Sequence, residues 1–171
     1  MAVNSADLHQ AVVAAWDANT LDSVFKAYWS VSDQANHIVL HDEEALAGQP
    51  FPYCVFHQEP GTTVSKMTKG SNETKGRFEV RDIPWEFRVH ARQMTVNGVV
   101  TSAKDIAAGL VDYILRAFGG HPTVEAYPDF TLDNGWILQV TYENDYPVRE
   151  GDKEAACFVK YRFLIDAPVA T

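Results

Sequence analysis

Residues 83–91, Ile-Pro-Trp-Glu-Phe-Arg-Val-His-Ala, alternate almost strictly between apolar and polar. A strand sends successive side chains to opposite faces, so this segment predicts a sheet with one buried and one polar face. Ile83, Trp85, Phe87, Val89 and Ala91 take the first; Pro84, Glu86, Arg88 and His90 take the second. Half-buried strands of this kind belong to antiparallel sheets. Pro84, lacking an N–H, belongs near the strand start or on an unpaired side.

Two later segments repeat the alternation. Trp136, Leu138, Val140 and Tyr142 share a face opposite Gln139 and Thr141. Cys157, Val159, Tyr161, Phe163 and Ile165 share another, opposite Lys160 and Arg162. Between them, Asn144 to Glu154, with Pro147 and Gly151, reads as a charged turn. An earlier strand runs from Tyr53 to His57, fenced by Pro50 and Pro52 before it and by Pro60-Gly61 after it. Asn97-Gly98 marks a tight turn.

Helical spacing occupies the rest. Asn4 and Ser5 cap a helix with Asp7 in its first turn, where a carboxylate suits the dipole. Leu8, Ala11, Val12, Ala15 and Trp16 form its stripe, and Leu21, Val24, Phe25 and Tyr28 mark a short second helix ending near Trp29. Ile38, Val39 and Leu40 predict a short strand, followed by an exposed acidic turn at Asp42, Glu43 and Glu44. Ser102 caps a longer helix running through Ile106, Leu110, Ile114 and Phe118 and stopped by Gly119-Gly120. The class expected is α+β: a mainly antiparallel sheet with N-terminal helices and one central helix packed on one face, plus a long hairpin arm. All 171 residues form a single domain, without repeats or linker.

A net charge of -9 argues against binding a phosphate backbone over the whole surface. Cys54 and Cys157 lie in apolar alternating runs and read as buried thiols rather than a disulfide. No basic flank precedes an apolar N-terminal core, so no secretory signal is expected, and the apolar runs are too short to span a membrane. A reducing cytoplasm is the compartment expected.

Catalytic patterns are weak. His37 and His41 have metalloprotease spacing, but Ile38, Val39 and Leu40 between them supply no glutamate base. Asp42, Glu43, Glu44 and His57 could complete a metal site with them, but histidines flanking an apolar triplet read as surface residues of a strand or turn, and no metal site is assigned. Cys54 and His57, three apart on a strand, point to opposite faces. Gly70 to Gly76 holds glycines and Lys75 without P-loop spacing. Asp42 with Glu44, and Glu150 with Asp152, lie in turns where solvated charge is the default. Trp16, Trp29, Trp85 and Trp136 read as core, with an aromatic-lined cavity as the alternative. Neither a catalytic residue nor a cofactor is expected, and the chain is read as a non-enzyme.

Between Pro60 and Arg77 only Val64 and Met67 are apolar, while Lys66, Lys69, Lys75 and Arg77 stand against Glu73 alone, a local charge of +3. This arm, at about residues 59–78, reads either as solvated surface or as a segment that orders on a neighbouring subunit or nucleic acid. Head-to-tail pairing of identical subunits would let it meet a negative face.

The order of elements resembles the tail-terminator and tail-completion proteins of long-tailed bacteriophages. The resemblance is carried by the leading helix, the Phe51-Pro52-Tyr53-Cys54-Val55-Phe56 strand, the arm, the 83–91 strand, the helix containing Ala103-Lys104-Asp105-Ile106-Ala107, and the two final strands. It spans nearly the whole chain as a pattern of elements, with Pro52-Tyr53 its only local motif; the additional length lies around residues 30–48 and 119–135. It implies a structural virion protein of the tail or neck, a hexameric ring that caps the tail tube and joins it to the head connector. DNA would pass through the lumen without specific binding, and the protein would assemble in the host cytoplasm without a membrane. Its subunit-interface residues would be Lys66, Lys69, Lys75 and Arg77 on the arm with Glu86, Arg88 and His90 on the polar strand face. The runner-up is a small-ligand-binding α+β domain; a hydrolase with an unrecognised site is third.

Overall fold

The structure, a computed structural model, describes residues 5–58, 63–68, 77–123, 131–132, 135–150 and 153–168. Helix α1 spans Ser5–Ala18 and α2 Leu21–Lys26, followed by a 3-10 turn at Gln34–Asn36. Strands follow at Leu40–Asp42 (β1), Tyr53–Gln58 (β2), Thr63–Thr68 (β3), Arg77–Arg92 (β4), Met94–Val96 (β5) and Val99–Thr101 (β6). Helix α3 spans Ala103–Phe118, and β7 (Thr131–Leu132), β8 (Gly135–Glu150) and β9 (Glu154–Pro168) complete the chain order. This is the expected α+β class.

Among the described residues, seven strands form one sheet in the order β1-β2-β4-β9-β8-β7, with β3 also paired to β4. Only β1 with β2 is parallel. Strand β4 is the spine: β9 runs along one side of it, and β2 then β3 share the other. The β2 register ends at Trp85 and the β3 register starts at Asp82, so Pro84 sits at the break. There its missing N–H costs no described ladder bond on that side.

The helices pack on the face carrying Ile83, Trp85, Phe87, Val89 and Ala91, all buried. Phe87 lies at its centre, with ring centroids 4.9 Å from Phe118, 5.9 Å from Tyr161, 6.2 Å from Trp16 and 6.3 Å from Phe56. Helix α1 contributes Leu8, Ala11, Val12 and Trp16 at helical spacing, and α3 contributes Ile106, Leu110, Ile114 and Phe118. Ser102 caps α3 through the Asp105 N–H (3.1 Å). Its other end is pinned by the buried Tyr161 hydroxyl, which donates to the Gly119 carbonyl at 2.8 Å. Asn97 and Gly98, at φ 52° and 80°, give the β5–β6 hairpin the left-handed pair its two-residue turn requires.

Three expectations need correction. The short strand expected at Ile38–Leu40 lies at Leu40–Asp42, because β2 fixes the pairing. Residues 63–68 are strand rather than polar loop, antiparallel to β4, so the expected hairpin arm continues the sheet, with Arg77 already inside β4. Asn144 to Glu150 belong to β8 and pair with β9, leaving a far shorter turn than expected. That hairpin absorbs its polar residues through register shifts at 137/139, 142/144 and 147/149, the kind of bulge that adds twist and accommodates a residue such as Pro147.

Candidate interaction face

The same alternation that aims Phe87 at the helices aims Glu86 and Arg88 at the opposite face of the sheet. Register then builds a line of ionisable side chains across three strands: His57 on β2 stands opposite Glu86 on β4, which stands opposite Lys160 on β9. Glu86 is 2% exposed, and a carboxylate so buried has to be paired. Arg88 Nε donates to it directly; Lys160 Nζ lies 3.4 Å away and His57 Nε2 3.9 Å. Arg88 also approaches His57 Nε2 at 3.2 Å and lays its guanidinium over Phe158, 5.2 Å from the ring centre. Further along, Arg162 pairs with Asp82 at 3.3 Å.

Toward the β1 edge this face turns aromatic. Tyr53 stacks on His90 with centroids 4.9 Å apart and planes 16° from parallel, and Phe51 lies 5.0 Å from Tyr53. Arg92 covers Phe51 at 4.4 Å while pairing with Glu154. His41 meets Tyr53 edge-on at 5.8 Å and is itself buried. Burial lowers the pKa of both histidines, with Arg88 adding to the effect at His90, and raises that of Tyr53. The face thus combines ion pairs with half-buried aromatic rings.

The expected interface residues divide accordingly. Arg88 and His90 lie together on this face; Glu86 is there too, buried beside Arg88 and Lys160. Lys66 stands opposite Glu79 in the β3–β4 pairing and Arg77 opposite Thr68. Lys69 and Lys75 lie outside the described residues. The Glu86 cluster as a unit escapes a reading of the sequence. Its signal, an ionisable side chain at matching alternate positions of β2, β4 and β9, becomes visible only once the register is known.

The alternative chemistries do not converge. His37 pairs with Asp33 at 3.5 Å while His41 turns into the sheet edge, and no three metal-capable side chains gather among the described residues. Cys54 and Cys157 both stand opposite Val89, on its two sides. Two ladder spacings put their Cα atoms about 10 Å apart, too far for a disulfide, and both thiols are buried. Trp16, Trp29 and Trp85 fill the core as expected: Trp16 donates to Asp22 and Trp29 to the Pro52 carbonyl, both at 2.8 Å. Trp16 also packs against Phe25, and Trp85 against Phe56 and Phe163. No helix among the described residues is long and apolar enough to cross a membrane. No protein-family model matches the chain, and no curated protein matches it in sequence.

Proposed function

We propose that this chain is a ring-forming structural subunit of the phage tail-terminator type, capping a tail tube and joining it to the head connector. The supporting observation is a mismatch of lengths. Strands β4 and β8 have 16 residues each and β9 has 15, as against 16 residues in α3. At about 3.3 Å per residue in a strand and 1.5 Å in a helix, the sheet is roughly twice as long as the helix lying on it. The β3–β4 pairing carries the sheet past the end of β2, whose register stops at Trp85, and a subunit with such a projecting hairpin is suited to lap onto its neighbour.

Charge supports the same reading. Residues 1–50 hold seven acidic residues and one basic, Lys26, whereas the 60–77 segment carries +3. Unlike patches at two places on one subunit favour a heterologous contact, which closes into a ring when the rotation permits. In this reading the partners are further copies of the chain, most simply six, with the tube and connector proteins above and below. DNA passes through without specific binding, and the chain is not an enzyme.

Light scattering with negative-stain imaging of the same sample tests this. Rings near six times 19.1 kDa are expected, lost when residues 62–76 are replaced by a short turn. A monomer that makes no rings at any concentration, alone or with preformed tail tubes, refutes the reading.

A further inference from the structure

We propose that β1 and the 43–52 segment after it form an acid-released cover over the hydrogen-bonding edge of β2, held shut by an uncharged His41. The inference is independent of the ring reading. Strand β1 is a thin margin of the sheet: three residues long, at its edge, and parallel to its single described partner. It closes over β2 through the Cys54 N–H donating to the Val39 carbonyl (2.9 Å) and the Glu43 N–H donating to the Phe56 carbonyl (3.1 Å). The following segment is fastened by the Gln49 side-chain amide, which donates to the Ile38 carbonyl at 2.7 Å. Elements with so few bonds open locally at far less cost than the whole domain.

His41 sits within this closure. It is 2% exposed, and its Nε2 makes no hydrogen bond among the described residues. Its ring meets Tyr53, whose other contacts are His90 and Phe51. An imidazolium here would be a buried cation with no anion paired to its ring among the described residues. The charged and titratable groups around it are Tyr53 on β2, His90 with Arg88 and Arg92 on β4, Glu154 on β9, Asp42 with its partner His9 of α1, and the exposed Glu43 and Glu44. Asp42 is already engaged by His9 at 3.2 Å, and Glu154 by Arg92.

The sign follows from linkage. Burial lowers His41 below its ordinary 6.5, with hydrogen bonds to Gln49 and Ile38 opposing it. The open form regains the ordinary value, so it binds the additional proton between the two. Closure is complete above about pH 6.5 and weakens as pH falls toward the closed-state value, by up to tenfold per pH unit. Below that value both forms are protonated and the loss levels off. His90, also lowered, shifts in the same direction through Tyr53.

Amide hydrogen exchange by NMR tests the proposal on the intact protein. After correction for intrinsic rates, protection at Cys54 and Glu43 should fall between pH 7 and pH 5, while Phe87 and Val159 hold. The His41 ring should titrate over the same range as that loss. His41→Phe should make edge protection independent of pH, and His90→Phe should leave the acid loss in place. The proposal is overturned if wild-type His41 titrates at its ordinary value with edge protection unchanged. It is equally overturned if His41→Phe retains the acid loss, or if the central strands open together with β1.

Discussion

Phe87 and Glu86 are neighbours on one strand and belong to different physical regimes. Phe87 faces the helices among Trp16, Phe56, Phe118 and Tyr161; Glu86 faces away, within reach of His57, Arg88 and Lys160. Both are almost fully buried. On the helical face, burial stabilises through apolar area and close packing, which tolerate no gap. On the other face, burial of a charge is tolerated only because register brings His57 and Lys160 to the point where Arg88 of the same strand already reaches Glu86. One side of the sheet holds the fold together, and the other fixes which strand lies beside which.

That contrast is open to direct challenge, beginning where the loss should be greatest. Phe87→Ala should lower unfolding free energy by about 3–5 kcal/mol, the range for truncating a buried aromatic ring, with little change between low and high salt. Glu86→Ala should cost less, roughly 2 kcal/mol, because Arg88 and Lys160 reach water and spread some of the freed charge. High salt should recover part of that loss by screening the cations left together. If the two variants respond to salt alike in denaturant titrations, the division between faces is wrong. Smallest should be Tyr161→Phe, which removes one buried donor and leaves the Gly119 carbonyl unpaired, at about 1–2 kcal/mol. Its effect should concentrate at the end of α3, visible as faster amide exchange near Gly119 with β4 unchanged.

Much of the architecture is legible in the sequence because its signals are local. The 83–91 alternation, the Ser102 cap, the Asn97-Gly98 turn and the stripe through Leu8 and Trp16 each act within a few residues. What escapes depends on pairing. Thr63–Thr68 has no strong apolar alternation, and it is strand because β4 offers it an edge. Asn144 to Glu150 has the composition of a turn, yet β9 draws it into a ladder. Alternation assigns the polar face residue by residue, but it does not reveal the burial of Glu86. Burial there requires His57 and Lys160 to arrive from positions 29 residues before and 74 residues after it, as register alone decides. His41 stands out in the sequence for its spacing from His37; its place under the edge of the sheet depends on the 43–52 segment folding back.

The two thiols give the molecule a pair of internal gauges. Cys54 lies on β2, one strand in from the β1 edge, and Cys157 on β9, two strands deeper. Both are sealed on the covered face, and burial pushes the Cys54 thiol well above its ordinary pKa, so a thiol reagent meets neither while the sheet is closed. Labelling at Cys54 alone would time the loosening of one margin, and labelling at both would time the separation of sheet from helices. The order in which the two sulfurs become reactive under stress therefore records the order in which the domain comes apart.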